Sequence, residues 1–159
     1  MLDFSFDPDA LEFPVGGKPR MRGGPDFSIS HSAGRVAIAV AVTGRVGLDL
    51  EPSGSVEDHT ARRVLSAEEC ARVASGLLAP TDAWVMKEAS VKLAGRGLES
   101  LRSVVLGDGT AQLDGEEYVL QRVDLGAEYC AWLALEVGCG PLLARECELP
   151  LFAPLPPAA

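Results

Sequence analysis

GRVAIAVAVTGRVGLDLE, residues 34–51, decides how this chain folds. Val36 to Val42 is an unbroken apolar run, Thr43-Gly44 is a turn pair, and a second run ends on Asp49 and Glu51. The pattern predicts two strands joined near Thr43-Gly44 as a hairpin. The first has no polar position, so it is expected to be buried on both faces. In the second, alternation puts Asp49 and Glu51 on one side and Leu48 and Leu50 on the other. Two carboxylates side by side are costly unless solvent, a cation or a base meets them. The plainer account is the wet face of an antiparallel hairpin. The other is a charged site, and this stretch alone does not choose between them.

Upstream, LEFPVGGKP (11–19) reads as a short strand ending in a Gly-Gly-Lys-Pro turn, MRGGPD as another turn, and FSISHS (27–32) as a strand end. Downstream the period changes. SVEDHTARRVL (55–65) is helical in pattern, and SAEECARVASGLL (66–78) opens on the capping-box spacing of Ser66 and Glu69. APTDAWVMKEASVKLAGRGL (79–98) opens at Pro80-Thr81 and closes at Gly95 and Gly97, which predicts a helix of about four turns. Short strands follow at SVVL, TAQL, EEYVLQRVDL and EYCAWLALEV. Strands, then helices, then strands predict an α+β fold with antiparallel sheets and helices packed on them. Residues 1–138 read as one domain, and 139–159, rich in proline, as a poorly ordered tail.

The 159 residues suffice for a sizeable core, and 47% hydrophobic with 23% charged residues is a globular composition. A net charge of −9 argues against a nucleic-acid partner. The acidic start has no basic leader, and no apolar run reaches the length of a membrane span. Cys70, Cys130, Cys139 and Cys147 lack zinc spacing and read as reduced thiols, so a cytoplasmic location is expected. Only three of the fourteen basic residues are lysines: Lys18, Lys87 and Lys92. A lysine retained in so Arg-biased a chain points weakly to a site wanting a compact ammonium.

Trp84, Glu88 and Lys92 are spaced by four and share a helix face. Trp84 is expected to anchor that helix in the core. One account of Glu88 and Lys92 is an ordinary i,i+4 ion pair. The other brings Glu88 to Asp49 and Glu51. Three carboxylates without cysteine or histidine spacing suit a hard cation, magnesium before zinc, and nearby lysines with a histidine fit a phosphate-rich substrate.

GKP, FSISHS, GLDLE and WVMKEASVK stand in the order seen in the 4′-phosphopantetheinyl transferase superfamily, and together they resemble its surfactin-synthetase-activating type. The likeness runs from about Phe13 to Glu136. GxDxE alone is not distinctive; followed by WxxKExxxK and preceded by SHS, it is. The resemblance implies a fold of two similar halves, meeting here near 52–56, with the first half shortened. It implies transfer of the 4′-phosphopantetheine arm of coenzyme A to a serine of an apo acyl or peptidyl carrier protein, releasing 3′,5′-ADP. Asp49, Glu51 and Glu88 would hold magnesium against the pyrophosphate. Glu88 would take the serine proton, Lys92 would stabilise or protonate the leaving phosphate, and Lys87 would meet the pyrophosphate. Ser30 and His31 match residues at the 3′-phosphate, and Lys18 and Pro19 the segment lining the adenine. A lone histidine at a strand end is otherwise a hydrogen-bonded structural residue. Glu69 sits where the family carries an acidic residue near the metal, and its capping-box role accounts for it equally well.

A non-catalytic binding or scaffold protein that keeps metal or coenzyme A binding is the alternative function. The shortened first half would leave an apolar sheet face uncovered, which predicts self-association as a homodimer.

Overall fold

The computed structural model describes residues 8–14 and 17–139. The proline-rich segment expected to be a poorly ordered tail lies outside them, apart from Cys139. Among the described residues, strands β1 (Leu11–Glu12) and β2 (Arg20–Met21) form a small antiparallel pair. Strands β3 (Asp26–Ser32) and β4 (Arg35–Ala41) form a second, and β5 (Val46–Pro52) opens the main sheet. Three helices follow: α1 (Asp58–Ala61), α2 (Ala67–Ala74) and α3 (Pro80–Ala94). Strands β6 (Val105–Leu106), β7 (Thr110–Leu113), β8 (Glu116–Val123) and β9 (Tyr129–Glu136) complete an antiparallel sheet in the order β5-β9-β8-β7-β6. The fold is therefore α+β.

The hairpin expected at Thr43-Gly44 does not form. A turn is there, with Gly44 in the left-handed region, but β4 and β5 belong to different sheets. The tight turn lies one strand earlier, at Ala33-Gly34, both at positive φ, where β3 and β4 pair in register Ser32↔Arg35. β5 pairs along its whole length with β9. Its other edge is closed by side chains instead of a strand ladder. The Val46 N–H donates to Asp26 Oδ2 at 2.8 Å, Leu48 N–H to Ser28 Oγ at 2.9 Å, and Leu50 N–H to Ser30 Oγ at 3.3 Å. Three β3 side chains at alternate positions thus do the work of a partner strand on that edge.

The second correction concerns β4, which is not buried on both faces. Ala37, Ala39 and Ala41 face inward, and Ala39 packs with Val46, Leu48 and Leu133. Val36, Ile38 and Val40, with Ile29 across from Ile38, are roughly half exposed, and Val42 beyond the strand is exposed too. Small residues are on the inner face because the hairpin comes close to β5. The branched side chains are left outside.

The helical readings fare better. Pro80 occupies the first turn of α3 and Gly95, left-handed, ends it. At Ser66 the capping box closes in both directions. The helix expected over 55–65 is reduced to the single turn of α1. One face of α3 lies on β5 and β9. Ala89, Val91 and Leu93 pack into a core with Leu101, Val104, Leu113 and Tyr118. Trp84 packs against that core, as expected of an anchor.

Candidate active site

Asp49 is the centre of the arrangement. It is only 2% exposed, on the β5 side chain row that faces α3. Its Oδ1 accepts from Ser30 Oγ at 2.8 Å and from Lys92 Nζ at 2.6 Å. Lys92 also donates to Ser30 Oγ at 3.1 Å. The Ser30 hydroxyl therefore gives its one proton to Asp49 and accepts from Lys92 and the Leu50 N–H. Asp49 Oδ2 is different. Among the described residues it is the one buried side-chain nitrogen or oxygen without a hydrogen-bond partner.

Glu51, two residues on, accepts from Ser32 Oγ at 2.7 Å. Glu88 joins from α3. Burial pushes its carboxyl up to about 7; the charge of Asp49 pushes the same way, with a smaller contribution from Glu51, while Lys92 and a hydrogen bond to Trp84 oppose it. Asp49, Glu51 and Glu88 thus share one electrostatic neighbourhood. The ordinary helix pair of Glu88 with Lys92 gives way to a longer reach, because the Lys92 ammonium sits on Asp49.

The other expected site residues are placed elsewhere. Neighbours on a helix point about 100° apart, so Lys87 turns into the core where Glu88 turns to the carboxylates. Lys87 is fully buried, pairs with Glu69 at 2.9 Å and donates to the Val104 carbonyl at 2.5 Å. Glu69 in turn accepts from the Leu106 N–H at 2.8 Å and the Ser66 N–H at 2.7 Å. Both residues are thus engaged with each other and with the backbone, and the capping box expected of Glu69 is present. Burial lowers the Lys87 pKa against the pull of Glu69.

His31 follows Ser30 on a strand, so it points to the opposite face of the β3–β4 hairpin, exposed, across from Val36. Lys18 is ion-paired with Asp26 and donates to the Val46 carbonyl at 2.6 Å, with Pro19 half-buried beside it. Burial lowers the Lys18 pKa while Asp26 raises it. The structure therefore brings together Ser30, Asp49, Glu51, Glu88 and Lys92, and leaves Lys18, Pro19, His31, Glu69 and Lys87 outside that cluster. Ser32 is a member the sequence reading missed. Its signal was there in the serines at 28, 30 and 32, which alternation puts on one face.

Among the described residues no three acidic, histidine or cysteine side chains stand in an arrangement that would cage an ion. A magnesium ion does not require one, because it keeps waters and binds through one or two carboxylates plus substrate phosphates. The oxygen donors fit such an ion. Asp49 offers a buried, unpartnered Oδ2, and a lysine ammonium has already been drawn onto its other oxygen.

The sequence model of the 4'-phosphopantetheinyl transferase superfamily matches residues 45–132, more than half of the chain. The chain belongs to the 4'-phosphopantetheinyl transferase superfamily. No curated protein matches it. The stretch shared with the transferase family contains Asp49, Glu51, Glu88 and Lys92, and ends on Trp132 in β9. The serines of β3 lie upstream of the match, so the candidate site draws on both the matched region and the hairpin before it. Among the described residues, no helix is long and apolar enough to cross a membrane.

Proposed function

We propose that this chain moves the 4′-phosphopantetheine arm of coenzyme A onto a serine of an apo carrier protein and releases 3′,5′-ADP. The observation that carries the reading is the meeting of Asp49, Glu51 and Glu88 with the Lys92 ammonium, at the junction of α3 and β5. In the reaction the serine oxygen bonds to the phosphorus that carries the pantetheine arm. The bond from that phosphorus to the bridging oxygen breaks, and the electron pair leaves with 3′,5′-ADP. Glu88, a half-buried carboxylate whose proton affinity is raised, takes the serine proton. Lys92, about a third exposed, faces the charge that builds on the leaving phosphate. Asp49 and Glu51, with Glu88, would hold magnesium, which when bound supplies charge neutralisation at the pyrophosphate.

The nucleotide end of coenzyme A is assigned to Lys18, Pro19 and His31 by the GKP and SHS segments, which also favour the surfactin-synthetase-activating type. On that reading the halves meet near 52–56, with β3, β4 and β5 in the first and α3 with β6 to β9 in the second, so the main sheet takes strands from both. A cytoplasmic location accords with the free thiols of Cys70, Cys130 and Cys139. A homodimer is supported by the outer face of the hairpin, where Ile29, Val36, Ile38 and Val40 are exposed. Of the β3 and β4 residues on that face His31 is the one titratable group, and no carboxylate of these strands lies there, so two copies of net charge −9 could meet without opposing carboxylates. Light scattering over a concentration series tests this, and a monomer at tens of micromolar would refute it.

The deciding experiment mixes the protein with an apo carrier protein, coenzyme A and magnesium, and weighs the carrier by mass spectrometry. A gain of one phosphopantetheine supports the transferase. An unchanged carrier, with coenzyme A still bound by the protein, supports the non-catalytic binding reading instead.

A further inference from the structure

We infer that Ser30 and Ser32 are positioning residues, holding Asp49 and Glu51 in the rotation that presents one free oxygen each to a cation. The inference rests on the metal reading proposed above. It differs from the assignment of Ser30 to a phosphate of coenzyme A, and it gives Ser32 a role that nothing in the GLDLE or WVMKEASVK segments supplies.

The geometry begins with β3. Ser28, Ser30 and Ser32 occupy alternate positions and face β5. Ser28 is used up on the backbone, accepting from the Leu48 N–H. The next two reach side chains. Ser30 donates to Asp49 Oδ1 at 2.8 Å and Ser32 to Glu51 Oε2 at 2.7 Å, both of ordinary length for a hydroxyl donor. The spacing of two along β3 matches the spacing of two along β5, so the hydroxyls and carboxylates are in step.

A hydroxyl suits this task for a specific reason. It has one proton, so it can fix one oxygen of a carboxylate and no more. It is also neutral, so it orients the carboxylate without cancelling the charge a cation needs. An arginine or lysine in its place would do both. The consequence is visible at Asp49, where Ser30 and Lys92 occupy Oδ1 and leave Oδ2 buried and unpartnered. The Ser30 hydroxyl, already donating once and accepting twice, has nothing left for a phosphate.

Outer-shell partners of metal ligands typically shift metal affinity by about 10–100-fold when removed. The test uses manganese alone as the probe, with free Mn²⁺ read by electron paramagnetic resonance, on the full chain without coenzyme A. Ser32→Ala should bind Mn²⁺ about 10-fold more weakly than the parent. Ser32→Thr, which keeps the hydroxyl, should stay within about 3-fold. The magnesium concentration for half-maximal transfer should rise in Ser32→Ala, while the rate at saturating magnesium changes little. If Ser32→Ala does not fold, Ser32→Val against Ser32→Thr makes the same comparison at constant shape. Equal Mn²⁺ affinity with and without the hydroxyl overturns the inference and leaves the metal reading standing. A parent that binds no Mn²⁺ overturns both. For Ser30, the ratio of affinities for coenzyme A and 3′-dephospho-coenzyme A should be the same in Ser30→Ala as in the parent. A changed ratio would return Ser30 to the 3′-phosphate.

Discussion

The Cβ atom that Gly47 lacks would stand 1.9 Å from the carbonyl oxygen of Ala89 and 2.6 Å from the Leu93 amide nitrogen. The backbone of α3 therefore rests directly on β5 at Gly47, and neither contact is a side chain that could swing away. This close approach is what lets Lys92, one residue before Leu93, reach Asp49, two residues after Gly47. Gly47→Ala should cost about 3 kcal/mol of stability, at the upper end for overpacking, because backbone has to move. It should also lower transfer beyond what unfolding explains, since Glu88 and Lys92 ride on α3. Denaturant midpoints and transfer rates on the folded fraction check the two effects separately. A variant as stable as the parent would show that the helix has room to lift.

Asp49→Asn keeps the shape and the Ser30 contact but removes the charge. Transfer at saturating magnesium is expected to fall at least about 100-fold, the scale of losing one electrostatic contact to a transition state, with the circular dichroism spectrum unchanged. Turnover within a few-fold of the parent would remove Asp49 from the metal site.

Lys92→Ala should lower the maximal rate far more than it weakens coenzyme A binding, because a group facing the leaving phosphate acts mainly in the transition state. Lys92→Arg should be poor as well, since a planar fork does not replace a compact ammonium. Steady-state kinetics paired with calorimetric coenzyme A titration separates the two quantities. Loss of stability with turnover intact would make Lys92 no more than a structural partner of Asp49.

Lys87 should behave oppositely although it adjoins Glu88. Lys87→Met leaves the Glu69 carboxylate buried without its partner and should cost about 3–5 kcal/mol. Adding Glu69→Gln, which removes the stranded charge but keeps an oxygen for the Leu106 N–H, should recover part of that. Equilibrium unfolding of both variants and the double checks it. A double variant no better than Lys87→Met would mean the ion pair is not what the single change disrupts.

Cys130 offers a pH test. Burial, with the Asp82 carboxylate accepting from its Sγ, pushes the thiol up to about 12 from an ordinary 9.0. The folded chain holds this proton more tightly than the unfolded chain does. Its stabilising contribution is thus complete below pH 9.0 and is lost as the pH climbs to about 12. Native protein treated with iodoacetamide at pH 8 should leave Cys130 unmodified, and denatured protein should not, as read by peptide mass mapping. Cys130 labelled at the rate of an open thiol would contradict the burial.

Local signals carried far in the sequence. Pro80 and Gly95 marked both ends of α3, Ser66 and Glu69 marked the start of α2, and alternation put Asp49 and Glu51 on one side of β5. What stayed hidden was non-local. The turn at Thr43-Gly44 looks like a hairpin because a turn residue says only that the chain bends, whereas the partner of β5 is β9, at Tyr129–Glu136. The fate of β4 was hidden for the same reason, since its inward alanines make sense only once β5 is seen close by. In the site, spacing could pair Glu88 with Lys92 but could not show the ammonium crossing to Asp49. Lys87 and Lys92 look alike in a motif. Their separation is a matter of helix rotation, and only the core around α3 fixes that rotation.

The bonds from Asp26, Ser28 and Ser30 to the amides of Val46, Leu48 and Leu50 make the seam between the hairpin and the main sheet separately observable. These amide hydrogens owe their shelter to side chains of another sheet, not to a strand ladder. If the hairpin lifts while the main sheet stays paired, they alone in β5 open to solvent. The amides of Gly47, Asp49 and Glu51, on the β9 side, stay closed. Deuterium uptake read residue by residue along the six consecutive amides from Val46 to Glu51 would then show two rates alternating every other amide. A single strand would report how often the two parts of the molecule come apart, without any label, mutation or ligand.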